Sequence, residues 1–156
     1  MKVGVISDTH GLLRPEAVRA LAGVEQIIHA GDIGSVEVLM ELAKLAPVTA
    51  VVGNVDTQQP WAEGIPERRQ FNLVGWRITL LHDRAQLELG ECIDNEVADL
   101  VISGHSHRPQ WQQAGGTRWL NPGSAGRRRF NLPICLALVE LHETGIEVEI
   151  VDLIAE

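Results

Sequence analysis

The sequence predicts an α/β fold, and three observations carry that prediction. Short β-branched apolar runs recur at Val3–Ile6, Gln26–Ala30, Val48–Val52, Ile78–Leu81 and Leu100–Ile102, as buried strands read. Helical patterns lie between the first three, which is the connection that parallel neighbours in a sheet require. The second half instead alternates paired apolar runs with Gly-containing turns, the pattern of antiparallel hairpins. A parallel or mixed sheet therefore opens the chain, and antiparallel pairing grows towards its end.

Each element has a local reason. After Val3–Ile6, Pro15 suits the first helical position, Glu16–Ala22 carries a helical pattern, and Gly23 can close it. After Gln26–Ala30, Ser35 is placed to cap a second helix through Ala46, with Val38, Leu39, Leu42 and Leu45 as its apolar stripe and Pro47 as its stop. Thr57–Pro66 holds Pro60, Gly64 and Pro66 and reads as a loop, and Arg68–Asn72 and Trp76–His82 as a hairpin turning near Gly75. A third helix is expected within Arg84–Ala98, against which Gly90 counts. Gln110–Gln113 and Thr117–Leu120 flank Ala114-Gly115-Gly116, and Ile134–Leu141 and Ile146–Leu153 flank Glu143-Thr144-Gly145, giving two further hairpins. No repeat, low-complexity tract or linker divides the chain, so a single domain over residues 1–156 is expected.

Composition bounds the function. With 13 Lys+Arg against 21 Asp+Glu the net charge is −8, which argues against bulk nucleic acid and against an anionic membrane surface. At 45% hydrophobic and 22% charged residues the chain can bury a real core. Cys92 and Cys135 form no CxxC pair and read as small buried hydrophobes, so any metal here must use nitrogen and oxygen donors. The N-terminal apolar stretch is far shorter than a signal or spanning segment, and the expected location is cytoplasmic. A homo-oligomer is compatible with Trp61, Trp76, Trp111 and Trp119, whose clustering on the β-rich face would suggest self-association.

The chemistry gathers at the strand ends. Val3–Ile6 leads to Asp8 and His10, Ile27–Ala30 to Asp32, Val48–Val52 to Asn54, Ile78–Leu81 to His82, and Leu100–Ile102 to His105 and His107. In open α/β sheets ligands bind outside the carboxyl ends of the strands, so these seven side chains can meet in one cleft. In extended backbone the i, i+2 spacing of Asp8/His10 and His105/His107 would turn each pair to one side. Glycines bracket the set at Gly31, Gly34, Gly53 and Gly104, where positive φ or close backbone approach is useful. Singly, Asp32 reads as a helix cap and His82 as a strand-end histidine; jointly, two Asp, four His and one Asn are too many for one small cation. Two divalent ions sharing a carboxylate would use them all. Such O and N donors suit manganese foremost, with Ni2+, Fe2+, Co2+ or Zn2+ also accommodated. His29, inside an apolar run, reads as a satisfied core histidine, and His142 as solvent-exposed.

Asp8-Thr9-His10, Gly31-Asp32-Ile33-Gly34, Gly53-Asn54-Val55-Asp56, His82, Gly104-His105-Ser106-His107 and Asn121-Pro122-Gly123-Ser124, in that order, resemble the calcineurin-like metallophosphoesterases, specifically their small bacterial and archaeal phosphodiesterase branch. The resemblance implies a four-layer α-β-β-α sandwich of two mixed β-sheets flanked by helices. It implies that Asp8, His10, Asp32 and His107 hold one ion and Asp32, Asn54, His82 and His105 the other, with Asp32 bridging. Asp32, Asn54 and His105 are thereby cast as catalytic. The implied reaction is hydrolysis of a small phosphodiester by hydroxide bridging the two ions. Arg127 and Arg128, in the run Arg127-Arg128-Arg129, could join Asn54 in binding substrate, since guanidinium pairs with phosphate oxygens in bidentate fashion; the alternative is a solvated loop.

Two positions depart from the family pattern. Many relatives carry a histidine after the motif's Asn as a general acid; Val55 stands there and cannot donate a proton, so esters with acidic leaving groups are expected to be the better substrates. Asp83 follows His82 where Gly is common, and it either orients a ligand histidine or begins the next helix. A non-catalytic scaffold is the competing reading, because a retromer subunit shares this architecture; a scaffold could lose donors freely, yet all seven are present. A nuclease is disfavoured by the lack of a basic stripe and of a capping domain.

Overall fold

The computed structural model describes residues 1–88 and 98–154 and contains two five-stranded mixed sheets packed face to face. The first is built from β1 (Lys2–Ile6), β2 (Gln26–His29), β3 (Val48–Ala50), β9 (Cys135–His142) and β10 (Gly145–Asp152), in the order β10-β9-β1-β2-β3. Here β1, β2 and β3 run parallel, whereas β9 is antiparallel to β1 and to β10. The second holds β4 (Arg68–Leu73), β5 (Trp76–Leu81), β6 (Leu100–Ile102), β7 (Gln110–Ala114) and β8 (Thr117–Asn121), in the order β4-β5-β6-β8-β7. Its centre, β5-β6-β8, is parallel, and both flanking strands are antiparallel.

Side-chain alternation along these strands makes two cores. On β1 and β2, Val3, Val5 and Ile28 face the second sheet and meet Ile78, Leu80, Leu100, Ile102 and Leu120. Ile6 and Ile27 face the other way, onto helices α1 (Pro15–Ala20) and α2 (Val36–Ala43), through Ala17, Leu21, Val38 and Leu42. Pro15 does start α1, and Gly23 follows it at φ +86°. Ser35 has the extended backbone of a cap, but its hydroxyl makes no capping hydrogen bond, and α2 ends at Ala43, capped by Lys44, rather than at Ala46. Within the expected loop, Pro60–Ala62 makes one 3-10 turn.

The expected third helix begins as α3 (Ala85–Glu88), and its remainder, with Gly90 and Cys92, lies outside the described residues. Cys135 is buried, and burial pushes its thiol up to about 11. The tryptophans go to different places: Trp61 packs on the helix-facing core, Trp76 on the intersheet core, Trp119 lies under the Arg84 guanidinium, and Trp111 is partly exposed. Among the described residues, no helix is long and apolar enough to cross a membrane.

Candidate metal centre

Beyond the ends of β1 and β2 the two chains stay zipped: Asp8 N donates to the Gly31 carbonyl at 3.0 Å, His10 N to Asp32 at 2.9 Å and Gly11 N to Ile33 at 2.7 Å. This is not extended strand. Asp8 (φ +54°), His10 (+47°), Asp32 (+54°), His105 (+70°) and His107 (+63°) all adopt the left-handed conformation, which costs an L-residue roughly 1–2 kcal/mol. Five of the seven sequence-picked side chains thus sit on strained backbone, held there by the surrounding bonds. Contrary to the expected extended geometry, strand alternation does not turn the i, i+2 pairs Asp8/His10 and His105/His107 to one side. Asp8 and His10 do converge, but His107 is buried against Asp8 while His105 is exposed.

Asp8 Oδ1 is the hub of the arrangement. It lies 3.4 Å from His107 Nε2 and 3.8 Å from Nε2 of both His10 and His82. Asp32 Oδ2 is 3.1 Å from His82 Nε2 and 3.6 Å from His10 Nε2. Two groups of donors result, Asp8/His10/His107 and Asp8/Asp32/His82, the donor atoms in each lying within 4.8 Å of one another. Asp8 is common to both groups, and Asp32 reaches a histidine of each. The other Asp8 oxygen, Oδ2, accepts from Ser7 Oγ at 2.7 Å and from His105 N at 3.2 Å. The close approach behind that second bond needs Gly104, because a Cβ there would overlap Ser7 Oγ and Asp8 Oδ2.

Four buried polar atoms in the cluster find no hydrogen-bond partner among the described residues: Asp8 Oδ1, His10 Nε2, His82 Nε2 and His107 Nδ1. Each such orphan ordinarily costs about 1–3 kcal/mol, and a cation beside Asp8 Oδ1 would satisfy that oxygen together with His10 Nε2 and His82 Nε2, each 3.8 Å from it. The tautomer of His82 fits that role. Its Nδ1 is 2.8 Å from the Ala30 carbonyl, which only accepts, so the ring proton sits there and Nε2 keeps a lone pair. Electrostatics agree. Burial alone would raise the Asp8 pKa, but the imidazoles of His10, His107 and His82 and the Ser7 hydroxyl outweigh it and hold the carboxyl well below the usual range. Burial likewise opposes charge on Asp32 and His82, yet their mutual contact lowers the first and raises the second.

His105 stands beside these groups rather than within them. Asn54 is exposed and shares with His82, Asp83, Thr57, Glu67 and Gln86 a small cavity next to the cluster. His105 is edge-on to the His82 ring, with centroids 5.2 Å apart, and its Nε2 is 3.9 Å from Asp83 Oδ2. Asp83 also accepts from Ala85 N at 3.0 Å, so it both starts α3 and faces His105. Arg127 and Arg128 are exposed, and Arg128 donates to the Leu132 carbonyl at 3.3 Å.

Two supporting groups escaped the sequence reading, and a third, His29, was legible only as a satisfied core histidine. Buried Asp56 accepts from Ile33 N and Gly34 N, both at 2.9 Å, and from Gly53 N at 3.0 Å, tying the Asp32 turn to the Asn54 turn; its only signal was its place at the end of Gly53-Asn54-Val55-Asp56. Asn121 donates to the Gly104 carbonyl at 2.9 Å and bonds Ser106 Oγ at 3.0 Å, bracing the turn that carries His105 and His107. His29, expected as a satisfied core histidine, accepts from Gly31 N at Nδ1 (3.1 Å); its Nε2–H therefore donates to Thr9 Oγ1 (3.0 Å), which donates to the Ile33 carbonyl (2.8 Å). Burial keeps that ring neutral, with its pKa lowered to about 4.

Residues 1–144 match the calcineurin-like phosphoesterase superfamily domain. The chain belongs to that superfamily. A probable metallophosphoesterase of Methanothermobacter thermautotrophicus is 39% identical over 155 residues, covering 88% of this chain and 85% of the relative. A phosphodiesterase of Methanocaldococcus jannaschii is 30% identical over 139 residues, covering 79% and 83%. In three dimensions, Vps29 of Entamoeba histolytica, solved in complex with Zn2+, superposes with a TM-score of 0.74 at 25% identity, covering 98% of this chain and 99% of that one. The two packed mixed sheets are the α/β sandwich of the calcineurin-like fold, and the donor groups at their strand ends are candidate sites for divalent metal.

Proposed function

We propose that this phosphoesterase-family chain is a single-domain hydrolase of small phosphodiesters that works with two divalent ions, Mn2+ foremost, held by Asp8, His10, Asp32, His82 and His107, with Asn54 and His105 completing the set. The observation that carries the reading is the convergence of three buried atoms without a hydrogen-bond partner among the described residues, Asp8 Oδ1, His10 Nε2 and His82 Nε2, with His107 Nε2 3.4 Å from the same Asp8 oxygen. Divalent ions bound there would activate a water near neutral pH and offset charge on the phosphoryl oxygens.

The chain's own residues do the rest. Asp8 and Asp32 supply negative charge that draws cations into an otherwise buried cluster, and the Ala30 carbonyl fixes which nitrogen His82 offers. Asn54, beside the small cavity, would offer its amide to a phosphoryl oxygen, and Arg127 would supply a guanidinium donor from the neighbouring turn, where Arg128 is engaged with the Leu132 carbonyl. Val55 is exposed and gives its backbone N–H to Asp32 Oδ1 at 3.1 Å, but its side chain has no proton for a leaving group. Acidic leaving groups such as nitrophenolate are accordingly the better ones.

The test is metal content together with turnover of bis(4-nitrophenyl) phosphate, for the wild type, Asp8→Asn and Asp32→Asn. Two ions per chain and a loss of at least about 100-fold in either variant support the reading. Protein that takes up no metal and hydrolyses nothing after metal addition would return the chain to the scaffold reading.

A further inference from the structure

The turn after Asn121–Ser124 carries side chains for which the metal centre alone has no use. Arg127, Arg128, Arg129 and Phe130 are four consecutive exposed residues, and the Phe130 ring is 90% exposed. Leu132 N donates to the Arg129 carbonyl at 3.1 Å, which places Phe130 second in a β-turn, and it sits there at φ +54°. Position two of a turn of that hand belongs to Gly, Asn or Asp. A phenyl group there is unfavourable twice over, through its backbone conformation and through apolar surface left in water, and folding gains nothing from it. An exposed aromatic held on strained backbone points to a bound partner.

The turn is rooted on the metal centre's own backbone. Ala125 N donates to the Ser7 carbonyl at 3.0 Å, Ser124 Oγ to the Asp8 carbonyl at 3.1 Å, and Arg14 Nε to the Gly126 carbonyl at 3.1 Å. A Cβ on Gly126 would collide with the carbonyls of Asp8 and Thr9, so the segment passes directly against the strand end that carries Asp8. Phe130 is four residues further on, within about 14 Å even at full extension. Arg128 braces the turn through Leu132, whereas Arg127 and Arg129 have no hydrogen-bond or ion-pair partner among the described residues. No acidic residue occurs from Asn121 to Val139, so this stretch is locally cationic in a chain of net charge −8.

We infer that the Arg127–Phe130 turn selects phosphodiesters in which one substituent is a nucleoside, the base stacking on Phe130 and the phosphoryl oxygens meeting Arg127 and Arg129. This rests on the phosphodiester reading above and names the substrate class for the same site. One ring and two free guanidiniums match one base and one phosphate, not a polymer, in keeping with the absence of a basic stripe.

Two esters with the same leaving group isolate the turn: thymidine 5′-(4-nitrophenyl phosphate) and methyl 4-nitrophenyl phosphate. Stacking on an aromatic side chain is worth at least about fivefold per base, so the wild type should prefer the thymidine ester in kcat/KM by that factor or more. Phe130→Leu and Phe130→Gly should each abolish the preference, while Phe130→Gly raises the melting temperature because glycine relieves the left-handed backbone. A merely structural Phe130 would lower stability when replaced and leave the preference intact, and that result overturns the inference. Calorimetric binding of thymidine 5′-monophosphate against inorganic phosphate gives a readout independent of turnover. If neither ester is hydrolysed but the nucleotide binds at least about fivefold more tightly than phosphate, and only when Phe130 is present, the catalytic reading fails and the turn's role stands; equal binding of the two overturns the inference.

Discussion

Asp32 and His82 stand on different sheets, yet Asp32 Oδ2 lies 3.1 Å from His82 Nε2. The contact raises the His82 pKa against the opposing effect of burial, so without metal the imidazole holds a proton above its ordinary range. The nitrogen that would carry this proton is also the one left free to bind metal, and the two uses exclude each other. Loading metal-free protein with Mn2+ near pH 7 should therefore release protons, and metal affinity should weaken as pH falls. Calorimetry in buffers of different ionisation enthalpy reads the release directly; a heat that does not depend on the buffer contradicts this account.

Asp56 offers a test of how the turns are held. Asp56→Ala would leave the N–H groups of Ile33, Gly34 and Gly53 without their acceptor in a buried setting. At about 1–3 kcal/mol for each stranded donor, partly relieved by water, the expected loss is about 3 kcal/mol or more. Urea unfolding of metal-free protein measures it. Because the same bonds fix the Asp32 turn, metal affinity should fall too, and a variant with normal stability and normal affinity would refute the positioning role.

The buried His29 makes acid stability predictable in sign. Its folded pKa of about 4 lies below its ordinary 6.5, so between those values the unfolded chain takes up a proton that the native state refuses. The contribution is complete above about pH 6.5 and is lost as pH falls towards 4, amounting to about 2–3 kcal/mol. His29→Gln can still accept from Gly31 and donate to Thr9 but does not titrate. Comparing urea midpoints of metal-free protein at pH 7.5 and 4.5, the variant should lose less stability than the wild type by about that amount; parallel losses would rule the histidine out.

Far from the site, Val74 and Gly75 link β4 to β5 in a two-residue turn, with Leu73 paired to Trp76 and both turn residues at positive φ, +53° and +82°. Asn-Gly is the preferred pair for that turn, and a β-branched residue at positive φ is strained. Val74 also packs partly against the intersheet core, which offsets some of the gain. Val74→Asn should stabilise by about 1 kcal/mol net, or roughly 2–4 °C in melting temperature for a chain of this length. A drop in melting temperature would show that the packing outweighs the strain.

The strand ends were legible in the sequence because burial on both faces writes Val3–Ile6 and Ile78–Leu81 as continuous apolar runs, and the polar residue after each run then stands out. The hairpins were legible from their glycines, as Gly115 and Gly116 at positive φ bear out. What the residues could not disclose depends on docking between distant segments. The left-handed backbone at Asp8 and His107, the outward turn of His105 and the three bonds of Asp56 arise only once turns about 20 to 100 residues apart are pressed together. His29 shows the boundary well: its apolar neighbours announced burial, but nothing local named Thr9 or Gly31 as its partners.

Asp8 and Asp32 come from the first sheet, and His82 and His107 from the second. Among the described residues neither sheet owns a complete donor group, since each of the two groups draws on both. Cation capture and the docking of one sheet on the other are therefore linked equilibria, and each reports on the other. Loosening the intersheet contact at the opposite end of β1 from Asp8, as Leu141→Ala would, should register as weaker metal affinity. Saturating metal, in turn, should slow amide exchange in Ile28 and Ile102, which belong to the intersheet core.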